Sequence, residues 1–233
     1  MGLFERFRRP TDIDQPIRQK LVGLVLSALR DQDGRIRAED AISAAATIVA
    51  ERCIDAAGDF PLREHELPPG SRAFSTRANE LISGDVSEGG VRQIPADSIV
   101  GMLRARLDGR LYADSEFPDL PEVFRQYAAR IGDAVDWGKV PLSVPENHSP
   151  LIPPLRVGYE TRGRVDDIFV PAGGDKARCL RIATEALAEI LAMVASAIDH
   201  KLALTIAIET INGMAKTAPM TERAMQQVEQ PKG

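Results

Sequence analysis

The residues of this chain whose types could do chemistry include three histidines, several aspartate pairs and a run of arginines. The most informative group is Asp199-His200, which interrupts a long apolar stretch near the C-terminus. A histidine beside a carboxylate can act as a general base or as a pH switch. Successive helical residues lie about 100° apart, so the two side chains do not automatically face one substrate. A polar belt or a slight kink where the helix leaves the core is the commoner explanation.

Residues from elsewhere in the chain could complete a site around Asp199 and His200. Arg104 and Arg106 decorate one predicted helix, and Asp166-Asp167 is a tandem carboxylate pair. If these groups converge in one pocket, the chain is a small-molecule-binding protein or a metal-dependent enzyme. No carboxylate pair has a histidine, a cysteine or a third carboxylate at ligand spacing. We therefore predict no catalytic residue, no metal and no cofactor.

Two loops resemble known ion-binding patterns only in part. The segment Asp31 to Asp40 places Asp, Asp and Gly as in a calcium loop, but Leu29 stands at the first ligand position and Asp40 replaces the final glutamate. The second loop, Gly173-Gly174-Asp175, precedes a helix whose free amides could hold a phosphate. Asp175 would cap those same amides. Both loops are therefore predicted to be structural connections.

Composition sets limits on the function. The 233 residues are 44% hydrophobic and 27% charged, carry a net charge of −5 and include 5% aromatic residues. Such values are typical of a globular protein and argue against wholesale nucleic-acid binding. Cys53 and Cys179 fall within apolar helical patterns, where cysteine usually behaves as a small buried side chain. A cytoplasmic location fits this cysteine usage.

Helical periodicity dominates the first part of the chain. A helix is predicted from Asp14, with Pro16 in its first turn, and a second from Ala38 to Ala57, stopped by Gly58. Three further helices are expected: one capped by Ser71, one opened by Pro95 and one started around Asp119. The pattern predicts an N-terminal body of about five helices over residues 13–140.

Closely spaced prolines follow this body. They lie between residues 141 and 154 and prevent a regular helix there, so residues 141–158 are predicted to form an extended, stiff linker arm. Residues 164–170 could form a short strand.

The C-terminal segment, residues 159–218, carries the strongest signal of the sequence. We predict one long helix from Asp175 to about Lys216, apolar nearly all round and therefore covered on most faces. Residues 202–208 alternate well enough to be a strand, but helix is favoured. The interrupting charges argue against a transmembrane segment. The proposed binding residues, in an oligomer interface or in the core, are Leu187, Ile190, Leu191, Val194 and Ile198.

The two ends of the chain are polar. Residues 1–12 form a basic tail in which Leu3, Phe4 and Phe7 alternate with arginines, so weak contact with a membrane surface or a partner groove is conceivable. A tail packed on its own domain is the favoured alternative. Residues 219–233 form a second polar tail.

These observations predict an all-α protein: the helical body, the Pro-rich arm, and a buried C-terminal helix that packs on the body or on a neighbouring subunit. The leading functional hypothesis is a non-catalytic cytoplasmic protein that acts by homo-oligomerisation and by protein–protein interaction, as an adaptor or assembly component. The alternative is the enzyme or ligand-binding protein that uses Asp199 and His200 with arginine or carboxylate residues of the body.

Overall fold

The structure, a computed structural model, describes residues 12–62, 64–65, 67–68, 70–72, 75–84, 94–107, 112–129 and 140–222. Across these residues the chain is helical and contains no β-strand beyond an isolated bridge between Arg72 and Thr217, which confirms the predicted all-α class. The α-helices are α1 (Gln15–Ala28), α2 (Ala38–Ala57), α3 (Thr76–Ser83), α4 (Ile99–Leu107), α5 (Leu120–Ala129), α6 (Pro154–Phe169), α7 (Lys176–Val194) and α8 (His200–Met214).

Helices α2, α7 and α8 form the centre of the molecule. Helix α2 packs against both α7 and α8, while α1 and α4 lie on α7, α6 lies on α2, and α5 lies on α8. The alanines of α2 make this possible, because Ala41, Ala46 and Ala50 are fully buried and let neighbouring backbones approach. A helix covered on so many sides has little need of a polar face.

The predicted beginnings of α1 and α2 and the stop at Gly58 are confirmed, but the Asp14 side chain makes no capping hydrogen bond. Helix α1 begins directly after Asp14 and has Pro16 in its first turn. Helix α2 ends at Ala57 and is capped by Gly58, which adopts a left-handed φ of 77° and donates its N–H to the carbonyl of Ile54. The predicted cap of α3 is wrong: Ser75 rather than Ser71 precedes the helix and accepts the amide of Ala78 at 2.8 Å.

The predicted long C-terminal helix is wrong in one respect, since it consists of two helices. Helix α7 ends at Val194, and α8 begins at His200 after a turn. Asp199 causes the new start, because its carboxylate accepts the amide of Leu202 at 3.0 Å and caps α8. Residues 202–208 are helical, as favoured.

The predicted strand at residues 164–170 is also wrong. Most of it belongs to α6, which begins at Pro154, so the last residues of the predicted arm are helical as well. Proline is compatible with a first helical turn. Val165 and Phe169, four residues apart, are buried on one face of α6, so a helix covers both apolar side chains.

Residues 141–153, here called the strap, lie on the protein's own body rather than spanning to a distant domain. Arg37 donates to the carbonyls of Ser149 and Asn147, at 2.9 and 2.5 Å. The carboxylate of Asp40 accepts the amides of Leu151 and Ile152, at 2.7 and 3.1 Å. These bonds satisfy backbone groups of a segment whose prolines exclude a regular α-helix and whose helical part is the short 3₁₀ turn Glu146–His148.

The described part of the C-terminal tail is also packed down. Met220 and Thr221 are buried, and the carbonyl of Pro219 contacts the ring of His65 at 2.8 Å. The remaining tail residues, 1–11 and 223–233, lie outside the described residues, and so do Leu3, Phe4 and Phe7.

Charged networks join the helices at two places. Arg18 of α1 donates to Glu185 of α7 at 2.8 Å, and Asp14 holds Arg178 and Arg181 at the start of α7. The hydrogen bond from Arg178 lowers the pKa of Asp14.

In the second network Glu51 of α2 pairs with Arg162 of α6 at 2.7 Å, and both side chains are buried. Gly158 allows this approach, because a Cβ there would lie 2.6 Å from the carboxylate of Glu51.

Within the described residues, no helix is both long enough and apolar enough to cross a membrane.

Candidate functional site

The two halves of the Asp199-His200 pair face different surroundings. Asp199 caps α8 and lines a cleft, whereas the His200 ring contacts Glu116 at 3.2 Å and the carbonyl of Ala195 at 3.2 Å. The His200 ring also packs on Tyr112, with ring centroids 4.5 Å apart. Burial, followed by the charge of Glu116, raises the pKa of Tyr112 to about 12. Of the two residues, Asp199 therefore starts α8 and lines the cleft, while His200 packs against Tyr112 and Glu116.

The cleft that Asp199 lines has a volume of about 250 Å³ and lies between α5, α8 and the beginning of the strap. Four carboxylates and one lysine border it, so we call it the acidic cleft. Apolar side chains from all three elements provide its walls. The lining residues are Pro118, Asp119, Glu122, Val123, Gln126, Ser143, Val144, Asp199, Lys201, Leu202, Thr205 and Glu209.

Local contacts hold two of these carboxylates in place. Glu209 is buried and accepts the backbone amide of Ser143 at 2.6 Å and also the Ser143 hydroxyl. Glu122 accepts from Gln126 at 2.9 Å and pairs with Arg125, both on α5. Glu209 thus fixes the strap at the edge of the cleft, while Glu122 remains part of the open rim.

Asp119 and Asp199 are the exposed carboxylates of the acidic cleft. Asp119 precedes α5 and its carbonyl accepts the amide of Val123, while Asp199 precedes α8. Each helix start therefore places one carboxylate at the cleft, for the ordinary reason that aspartate favours these positions. The rim consequently has an excess of negative charge next to apolar walls.

The negative rim and the apolar walls of the acidic cleft suit an organic cation. Within the described part of the chain, no group of three or more His, Cys, Asp or Glu side chains is arranged to hold a metal. A cationic group attached to an apolar body could place its charge among Asp119, Glu122 and Asp199 and its body against Val123 and Leu202.

The other residues proposed to complete an enzyme site do not join the cleft. Arg104 lies 3.8 Å from Asp114 and stacks over Phe117, and Arg106 pairs with Glu185 at 2.5 Å. Asp166 pairs with Arg52 at 3.1 Å, on the side where α2 and α6 meet. Asp167 is exposed on α6.

The two loops that resembled ion sites have structural contacts. Asp31 accepts the amides of Asp33 and Arg35, which closes a turn between α1 and α2. Asp175 caps α7 by accepting the amide of Arg178 at 3.0 Å.

The proposed interface residues of the C-terminal segment are covered by the same chain. Leu187, Ile190 and Leu191 are at most 1% exposed, Ile198 is buried, and Val194 is half-buried against the core. At this end of α7 the exposed apolar side chain is Met193, at 58%. Self-association through α7 would therefore use its exposed residues, such as Met193.

Sequence reasoning missed Glu122, Glu209 and Asp119 as cleft residues, and it placed Lys216 only at the end of the predicted long helix. A signal existed for Glu209 and Lys216, because each is a single charge inside the apolar C-terminal segment. Which helix faces each of them depends on tertiary packing, and sequence periodicity does not specify it.

Comparison with known proteins identifies no relative. No protein-family model matches the chain, and neither the curated proteins nor the solved structures contain a significant match.

Proposed function

We propose that this chain is a non-catalytic helical binding protein whose acidic cleft takes a basic segment of a protein partner, as an adaptor or assembly component does. The observation that carries the proposal is the meeting of Asp119, Glu122 and Asp199 around one apolar-walled cleft. Complementary charge speeds encounter and selects partners, while apolar contacts hold a bound segment. A lysine or arginine side chain has both parts, an apolar stem and a cationic head.

A cytoplasmic location and self-association belong to the same proposal. Cys53 and Cys179 are free and buried, which fits a reducing compartment. Self-association would use surfaces other than Leu187, Ile190 and Leu191, for example the end of α7 near Met193. Light scattering of the full chain, with Met193→Glu beside it, tests this part separately: a dimer that the substitution dissociates is the supporting result.

A second candidate function, binding of a small organic amine, is favoured by the size of the cleft. At about 250 Å³ it could accommodate one small cation. This candidate retains the ligand-binding part of the Asp199 hypothesis without a catalytic role for His200, which faces Glu116.

The test is binding of a fluorescently labelled Arg/Lys-rich peptide to the full chain, followed by anisotropy at fixed ionic strength. Glu122→Gln and Asp199→Asn each remove one rim charge and keep the size of the side chain, and asparagine still caps α8. We expect each change to weaken binding about three- to tenfold, in the range of 1 kcal/mol for a partly exposed charge pair. The matched control is Asp167→Asn, an exposed carboxylate of α6 outside the cleft.

The outcomes separate the candidates. Competition by an acidic peptide of equal length should fail, and competition by a simple alkylamine should succeed only if the small-amine candidate is correct. Equal binding to the control and to both cleft variants would overturn the assignment of the cleft. Peptide binding is also measured for a chain that lacks residues 1–11. Tighter binding by this chain would mean that the basic tail competes for the cleft.

A further inference from the structure

Lys216 is a buried cation at the far end of α8 from Asp199. The residue is 3% exposed, and its Nζ donates to Asn212 Oδ1 at 2.5 Å. Nζ also lies 4.1 Å from the ring centroid of Phe124 and 5.4 Å from that of Tyr127. None of the carboxylates in the described ranges forms an ion pair with it. An ammonium group with one neutral acceptor and two ring faces is only partly compensated for its lost hydration.

A second cation shares the ring of Tyr127. The guanidinium carbon of Arg72 lies 4.9 Å from this ring centroid, and Nη1 donates to the Tyr127 hydroxyl at 2.8 Å and to Thr217 Oγ1 at 2.9 Å. The bridge between Arg72 and Thr217 holds the backbone there, next to the bond from Ala218 N to Ser71 O at 2.7 Å. Arg72, too, makes no ion pair with a carboxylate that the structure describes.

Tyr127 does not supply the missing negative charge. Its side chain is buried, and burial raises the pKa of the phenol, so the hydroxyl stays neutral. The carbonyl end of α8 contributes roughly half a negative charge, which is less than the two cations carry. Among the residues that the structure describes, the two cations therefore retain a net positive charge, with Lys216 buried and Arg72 half-buried.

We propose that Arg72 and Lys216 form a binding site for an oxyanion, a carboxylate, sulfate or phosphate group, beside Tyr127. Nη1 of Arg72 is occupied by Tyr127 and Thr217, which holds the guanidinium in place, and a guanidinium can contact an oxyanion through its other nitrogens. Lys216 supplies the second charge from the protein side. This site shares no lining residue with the acidic cleft.

Lys216 also makes the site sensitive to pH. Besides Arg72, the titratable groups that face it are Cys53 of α2 and Tyr127 of α5; burial raises the pKa of the Cys53 thiol to about 12. Burial lowers the pKa of Lys216 to about 8. A bound anion favours the protonated amine, so binding takes up a proton above pH 8 and weakens as the pH rises.

The experiment is calorimetric titration of the full chain with sulfate, which does not titrate in this range, at ionic strength held constant with chloride. We expect Arg72→Met and Lys216→Met to weaken binding at least tenfold. Arg77→Met is the control, because Arg77 is exposed and paired with Glu80. A parallel titration with acetate distinguishes a preference for a tetrahedral anion from one for a planar carboxylate.

The pH dependence of sulfate binding by the wild type tests the site even if one variant fails to fold. Wild-type affinity should fall about tenfold from pH 7 to pH 9, as expected for one coupled proton. Lys216→Arg should retain binding but lose this pH step, since arginine stays protonated. Sulfate binding that is absent in the wild type, or equal in all variants, would overturn the site.

Discussion

Two buried cations of this molecule, Arg162 and Lys216, differ in how their charge is balanced. Arg162 lies between α2 and α6, where it donates to the buried carboxylate of Glu51 at 2.7 Å and to the carbonyl of Met220 at 2.6 Å. Lys216 lies between α5 and α8 and has an amide oxygen and two aromatic rings instead. Both residues are more than nine-tenths buried.

This difference distinguishes Arg162, whose charge has a structural role, from Lys216, whose charge is a candidate for a functional role. A buried ion pair with full hydrogen bonding fixes how two helices meet, and Gly158 shows that α6 is shaped around Glu51. A buried cation without a counter-charge costs stability, so its presence calls for another explanation. The oxyanion site offers that explanation for Lys216, whereas Arg162 needs none.

The largest expected effect comes from breaking the Arg162 pair. Glu51→Ala leaves Arg162 buried with a single carbonyl partner, so we expect a loss of about 3–5 kcal/mol in the free energy of unfolding. Chemical denaturation of wild type and variant measures it. The control is Glu160→Ala, which removes the exposed partner of Arg156 and should cost at most about 0.5 kcal/mol. Similar losses of stability for both variants would mean that the buried Glu51–Arg162 pair contributes no more than the exposed Glu160–Arg156 pair.

At Lys216, the second buried cation, we expect the opposite effect on the free energy of unfolding. Lys216→Met removes a charge that the fold holds at a cost and keeps most of the apolar stem, so stability should rise by about 1–3 kcal/mol at pH 7. The same denaturation experiment applies. A clear loss of stability would show that the rings and Asn212 compensate the charge fully, and the contrast with Arg162 would disappear.

The smallest expected effect is on the pH dependence of the stability difference between Lys216→Met and wild type. The folded-state pKa of Lys216 is lowered from 10.5 to about 8, so the folded state releases a proton at lower pH than the unfolded state. The penalty is full below pH 8 and disappears as the pH rises toward 10.5. The stability difference between Lys216→Met and wild type should therefore shrink between pH 8 and 10.

This difference is the quantity to measure, because Cys53 acts in the opposite direction in both proteins. Its raised pKa contributes stability that is lost above about pH 9. Because the charge of Lys216 lowers that pKa, both proteins carry Cys53→Ala in this comparison, which removes the contribution from each. A difference between the two proteins that stays constant from pH 7 to 10 would exclude a lowered pKa for Lys216.

Much of the secondary structure was predictable from short-range signals. Periodic apolar residues and the Gly58 stop predicted α2, and the proline spacing kept residues 141–153 out of a regular helix. The same short-range signals did not predict the break at Asp199, where one capping aspartate inside an apolar stretch divides the helix in two. They also predicted a strand at residues 164–170, where a helix buries Val165 and Phe169 on one side.

By itself, the sequence determined that this chain is helical and that its C-terminal segment is deeply covered, because periodicity and apolar content are properties of neighbouring residues. The tertiary structure decided what covers that segment, namely α2 and the helices around it. It also decided which charges meet. Asp119 and Asp199 are eighty residues apart in sequence, and Arg72 and Lys216 are further apart still. Contacts over such distances depend on how helices pack, and no local pattern encodes that packing.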